Sequence, residues 1–207
     1  VATPDGKLTI ELIKQHMHGF GFEHHAQPKI ISITQATELG TLYSIEEIKA
    51  IADYAHQNDM YLHMDGARIS NAAVALDKGF YEMTGEAGVD VLSFGGTKNG
   101  MMYGEAVVFF NKELCADFKY RRKQAMQLAS KMRYIAAQFS AFLENDLWKE
   151  NAAHANAMAL KLYAAVKDIP GVTITRPVEA NAVFAIIPKE VISKLQEAFF
   201  FYVWDED

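Results

Sequence analysis

Two hydrophobic periods alternate along the first half of the chain. From Thr9 to Phe20 the apolar residues Ile10, Ile13, Met17 and Phe20 recur at helical spacing, which predicts a helix. Pro28 then precedes a β-branched run, Ile30-Ile-Ser-Ile-Thr34, expected as a buried strand. Ser44 followed by Glu47 is a capping box and opens a helix predicted over Ile45 to Gln57. Met60-Tyr-Leu-His-Met64 is strand-like and ends in Asp65-Gly66, with a helix expected from about Ala67 to Leu76. Asp90 to Phe94 and Glu105 to Phe110 read as two further strands. Strands separated by helices predict an α/β fold, with a mainly parallel sheet and helices on both faces. Ligands of such sheets gather at the carboxyl ends of the strands. Asp65 and Lys98 both follow strands.

The second half changes character. Lys112 to Lys167 lacks proline and reads as helix, with Asn145-Asp146 as a break or cap. Ile169-Pro-Gly171 is a stop. Val172 to Thr175, Ala182 to Ile187 and Phe199 to Trp204 read as strands, and Glu190 to Ala198 as a helix. The expected organisation is a large domain over 1–145 and part of a smaller α+β domain over 146–207. The chain opens on Val1 and closes just after an apolar strand-like run, so a fragment cut at both ends is expected.

Composition narrows the function classes. Of 207 residues, 50% are hydrophobic and 22% charged, enough apolar material for a packed core and too much for a disordered chain. The net charge of −6 argues against nucleic-acid or anionic-membrane partners. Lys119-Tyr-Arg-Arg-Lys123 spreads around a helix and reads as a solvated surface. No apolar run reaches membrane-helix length, and the polar turn sequence of Val1 to Lys7 is not expected to be a signal peptide. The single cysteine, Cys115, excludes an intrachain disulfide, is expected to be packed, and fits a reducing, cytoplasmic setting.

Two motifs carry candidate chemistry. Leu62-His-Met-Asp65-Gly-Ala-Arg68 puts a carboxylate at a strand end, where it can serve a ligand or cap the next helix. Phe94-Gly-Gly-Thr-Lys98-Asn-Gly100 puts a lysine in an open glycine-flanked loop, as a Schiff-base nucleophile or an ordinary exposed lysine. Together they suit pyridoxal phosphate, which uses a lysine and an acid partner for its pyridinium nitrogen. Opposite charges about 4 Å apart at an effective dielectric of about 20 attract by roughly 4 kcal/mol, enough to bias that protonation.

The sequence resembles the threonine aldolase and aromatic amino acid β-eliminating lyase family, pyridoxal-phosphate enzymes of the aminotransferase-like fold type I. The stretches that carry the resemblance are Gln35-Ala-Thr-Glu-Leu-Gly-Thr41, Leu62 to Ala73, and Val89 to Gly100, with Lys98 33 residues after Asp65. It continues through Arg133 and from Arg176-Pro177 to Asn181-Ala-Val-Phe184. The resemblance implies that Lys98 bonds the cofactor aldehyde and Asp65 pairs with the ring nitrogen. Arg68 would contact the cofactor's phenolic oxygen or the substrate carboxylate, and Thr97 would donate to the phosphate. Gln35, Thr37 and Glu38 match a loop bordering the site, and Lys123 or Arg133 would reach a phosphate or carboxylate, in a neighbouring subunit if not in its own. The implied reaction is retro-aldol cleavage of a β-hydroxy-α-amino acid such as threonine, to glycine and acetaldehyde. The alternatives are β-elimination on aromatic amino acids and a truncated relative with a structural or binding role. A homodimer or homotetramer is implied. Family members also carry segments before Val1 and after Asp207, so these residues alone are expected to bind the cofactor weakly and turn over little.

Metal chemistry is not expected. His16-Met-His18 would point to different helix faces, His24-His25 has no evident third ligand, and His63 with Asp65 on one strand also lacks one. Walker and Rossmann glycine motifs are absent from the sequence.

Overall fold

The computed structural model describes residues 1–205. Its elements run α1 (Ile10–Gln15), β1 (Ile30–Thr34), α2 (Ile45–Gln57), β2 (Tyr61–Gly66), α3 (Ile69–Leu76), β3 (Val91–Gly95), β4 (Glu105–Phe109), α4 (Phe118–Gln124), α5 (Met132–Leu143), α6 (Leu147–Val166), β5 (Thr173–Ile174), β6 (Ala185–Ile186) and α7 (Lys189–Gln196). The main sheet has the order β1-β2-β3-β4. Its first two pairings are parallel and β3-β4 is antiparallel. β5 and β6 form a separate antiparallel pair.

The strand period of two sorts side chains between the faces. Ile31 and Ile33 of β1, Leu62 and Met64 of β2, and Leu92 and Phe94 of β3 are buried on one face. They pack with Ile48, Ile51, Ala52 and Ala55 of α2, Ile69, Ala72 and Ala73 of α3, and Phe142 of α5 in a single core. The opposite face carries Ser32, His63, Asp65, Ser93 and Val107. At one corner of it Phe118 of α4 stacks edge-on against Phe109 at 4.9 Å. The middle of that face stays half-exposed, and Val107 is exposed. The helical cover is therefore lopsided within the described residues.

Polar stitches fix the base of the sheet. Buried Asp90 accepts from the Leu62 amide at 2.8 Å and meets His56 Nε2 of α2 at 2.9 Å. Its carbonyl accepts from the Phe110 and Asn111 amides, tying β4 to the same point. At the other end, a Cβ placed on Gly95 would lie 2.6 Å from Cα of Ala67. Only a glycine lets the end of β3 approach the turn after β2 this closely.

Several expected elements are shorter than the sequence suggested. α1 stops at Gln15, capped by His16, and Gly19 and Gly21 beyond it take positive φ of 76° and 71° and turn the chain away. Asn145 and Asp146, at φ 52° and 58°, break the long helical stretch between α5 and α6. Phe199 to Trp204 forms no strand: Phe200 and Tyr202 stand exposed, and Trp204 packs edge-on against Phe184 instead. An apolar run becomes a strand only where a ladder partner satisfies its backbone, and this segment pairs with neither β5 nor β6. Cys115, expected to be packed, is exposed.

Gly95→Ala is expected to cost about 1–3 kcal/mol, since the added methyl meets backbone that has no rotamer to yield. A lowered urea midpoint in equilibrium unfolding checks it.

Candidate active site

The turn after β2 and the turn after β3 lie side by side at the carboxyl end of the sheet, where Gly95 packs against Ala67, and the candidate cleft is the space they border. Asp65 is the penultimate residue of β2 and pairs in register with Ser93 of β3. Its Oδ1 accepts from the Ala67 amide at 2.9 Å, closing a tight turn. Asp65 therefore does not cap the following helix. That position belongs to Arg68, whose side chain makes no capping bond. Lys98 sits in a single 3-10 turn, Thr97–Asn99, directly after β3 and is exposed.

Arg68 carries an orphaned donor, as Ser70 and Asn71 on the same helix carry an orphaned oxygen each. Its Nη1 is buried without a hydrogen-bond partner and lies 4.0 Å from Oε1 of Glu38. An orphaned guanidinium donor at a strand end fits an anionic group of a ligand. The Lys98 ammonium makes no hydrogen bond or ion pair among the described residues. A free amine, a strand-end carboxylate and a guanidinium with a hydrogen-bond donor to spare make a set suited to an aldehyde- and phosphate-bearing pyridine cofactor.

The other expected site residues take different places. Gln35 is fully buried and clamps Tyr43, donating to its carbonyl at 2.9 Å and accepting from its amide at 3.0 Å. The Thr37 hydroxyl accepts from the Leu39 and Thr41 amides and bonds the Thr41 hydroxyl at 2.7 Å. Both side chains shape the loop that presents Glu38 to Arg68. The Thr97 hydroxyl accepts from the Gly104 amide at 3.1 Å, closing the loop between β3 and β4. Arg133 lies on exposed α5 with its guanidinium 5.5 Å from the ring centre of Tyr134. The structure places Arg68 beside Glu38 in the turn after Asp65, sets the Lys98 turn at the end of the neighbouring strand, gives Gln35 and Thr37 supporting positions, and leaves Arg133 on the helical surface.

Sequence reading missed a polar row beside Asp65. His63 Nδ1 meets the Ser32 hydroxyl at 2.8 Å and Nε2 meets the Ser93 hydroxyl at 3.0 Å, across three strands. The signal was present as parity, because Ser32 and Ser93 are polar residues between apolar neighbours on strands that flank His63. Burial pushes the His63 imidazole below the usual histidine range, partly opposed by the Asp65 carboxylate. No group of three or more His, Cys, Asp or Glu that could hold a metal ion occurs among the described residues. His18 and His25 meet edge-to-face at 5.5 Å, outside α1.

The model of the beta-eliminating lyase family matches residues 1–190. The chain belongs to the beta-eliminating lyase family. It is 47% identical over 194 residues to the low specificity L-threonine aldolase of Pseudomonas aeruginosa, covering 94% of this chain and 56% of that protein. It is 48% identical over 191 residues to the low specificity L-threonine aldolase of a Pseudomonas species, covering 92% and 55%. A solved threonine aldolase of Leishmania major superposes with a TM-score of 0.90 at 30% identity, covering 98% of this chain and 59% of that one. The fold is thus the fold type I expected from the motifs. The chain spans about half the length of the curated relatives it matches. No helix of the described residues is long and apolar enough to cross a membrane.

Since the folded-state pKa of His63 is depressed, its protonation opposes folding. Stability is full above the ordinary histidine range and falls as pH drops below about 6.5. Urea unfolding across that range should show a shallower acid loss in His63→Gln than in the unchanged protein.

Proposed function

We propose that the whole protein is a pyridoxal-phosphate-dependent aldehyde-lyase that cleaves β-hydroxy-α-amino acids, threonine giving glycine and acetaldehyde. The observation that carries this reading is the shared cleft of Asp65, Arg68 and the Lys98 turn, in a chain 47% identical to a low specificity L-threonine aldolase. When bound, pyridoxal phosphate supplies an electron sink for the pair left at the α-carbon.

The chain's own residues have distinct tasks in this reading. Lys98 offers its exposed amine to the aldehyde carbon of the cofactor. The Asp65 carboxylate keeps a proton on the pyridine nitrogen; its Oδ1 bond to Ala67 fixes its rotamer. Arg68 supplies its unpaired Nη1 to the substrate carboxylate or to the cofactor's phenolic oxygen. Glu38 holds the guanidinium on the cleft side until an anion replaces it. Thr97, through its link to Gly104, fixes the loop around Lys98 and would donate to the phosphate of a bound cofactor, while Gln35 and Thr37 act through the shape of their loop. Arg133 serves a carboxylate or phosphate from the face of α5. The large domain ends at 145, where the helix break falls, and the remainder belongs to the smaller domain. A homodimer or homotetramer in the cytoplasm completes the reading.

Borohydride reduction with pyridoxal phosphate, followed by peptide mapping of the full gene product, tests it. A pyridoxyl group on Lys98 is expected, together with complete loss of aldehyde release from threonine in Lys98→Ala. Label on other lysines alone overturns the assignment.

A further inference from the structure

The segment carrying Lys98 is held from two sides. Its 3-10 turn has three residues, ends on Gly100 at φ 107°, and is closed locally by the Gly104 amide on the Thr97 hydroxyl. A second set of ties comes from α6, far along the chain. The Asn99 side chain donates to the Trp148 carbonyl at 2.9 Å, and Asn151 donates to the Asn99 carbonyl at 2.9 Å. The fit is tight, since a Cβ on Gly100 would lie 2.6 Å from Asn151 Nδ2. Asn99 is buried, and both bonds are partly shielded from water.

The same helix grips the other side of the cleft. Asn156 and Asn71 of α3 form a reciprocal buried pair. The Asn71 side chain donates to Asn156 Oδ1 at 3.0 Å, and Asn156 donates to the Asn71 carbonyl at 3.0 Å. Asn71 lies three residues after Arg68 on the helix that Arg68 opens. Ala152 and Ala159 are buried on the same stripe of α6, and their small side chains let α3 and α6 approach closely.

We propose that α6 is a positioning strut: Asn151, through Asn99, and Asn156, through Asn71, hold the Lys98 turn and the Arg68 helix in one frame. Each half of the cleft stands on its own strand, and the strut fixes the distance between amine and guanidinium. Asn99, Asn151 and Asn156 touch no reacting atom and act through Lys98 and Arg68. The inference rests on Lys98 as the residue that binds the cofactor.

The test uses the full gene product with pyridoxal phosphate and three variants, Asn151→Ala, Asn156→Ala and Asn151→Ser. Ile51→Val and Ile51→Ala in the α2 core serve as references for general destabilisation. The readouts are pyridoxal phosphate affinity, absorption spectrum of the bound cofactor and rate of borohydride labelling at Lys98, each beside the melting temperature. Asn151→Ala, which loses one hydrogen bond, is expected to bind the cofactor roughly five- to tenfold more weakly, and Asn156→Ala, which loses both bonds of its pair with Asn71, at least as much. They should also change the absorption spectrum and labelling rate, and Asn151→Ser, which keeps a donor, should recover part of both. The Ile51 variants should lower the melting temperature and leave spectrum and labelling as in the unchanged protein. If the asparagine variants differ from the Ile51 variants in none of these readouts, the strut is packing only and the proposal is wrong. Should the alanine variants fail to fold, Asn151→Ser and Asn151→Asp decide on the same readouts. Absence of label at Lys98 in the unchanged protein would instead overturn the cofactor assignment on which the proposal stands.

Discussion

The contact between Gly95 and the backbone of Ala67 is the constraint on which the rest of the cleft depends. It brings the carboxyl ends of two parallel strands closer than any side chain would permit. Asp65 stands two residues before one partner and Lys98 three residues after the other, so the contact sets how far apart acid and amine can lie. The hydrophobic core beneath positions the strands but does not determine this approach. A methyl group in the wrong place would open it even with the core intact.

Around that contact the polar groups divide into bound and free. Asp90, Gln35, Thr37 and Asn156 are buried and bonded, and Asn71 is bonded through its amide nitrogen while its Oδ1 has no partner. Arg68 Nη1 is buried with no hydrogen bond, which is costly in a finished interior and expected where a ligand supplies the missing acceptor. The row from Ser32 through His63 to Ser93 belongs to the bound class although it lies on the half-exposed face. It fixes the His63 ring beside the Asp65 carboxylate, where burial disfavours its charged form and that carboxylate partly opposes the shift.

Legibility in the sequence followed the range of the interactions. β1 and α2 were readable to the residue, because a β-branched run and a capping box are local signals. Asp65, Arg68 and Lys98 were legible as motifs at strand ends, and the family resemblance added their roles. Asp65 closing a turn onto Ala67, in place of capping α3, depends on backbone geometry that composition does not carry. The bond between Asn99 and Asn151 joins residues 52 apart, and no periodicity announces it. Phe199 to Trp204 was misread for the same reason: apolarity says that a segment seeks cover, and pairing partners decide whether it becomes a strand.

The central claim is that Asp65 and Lys98 address one cofactor, the acid at its ring nitrogen and the amine at its aldehyde. The most direct measurement is the 15N chemical shift of ring-labelled pyridoxal phosphate fixed by borohydride to Lys98 in the full gene product, with and without Asp65→Ala. The account predicts a protonated ring nitrogen at neutral pH in the unchanged protein and an unprotonated one in Asp65→Ala. The same shift in both proteins would contradict it.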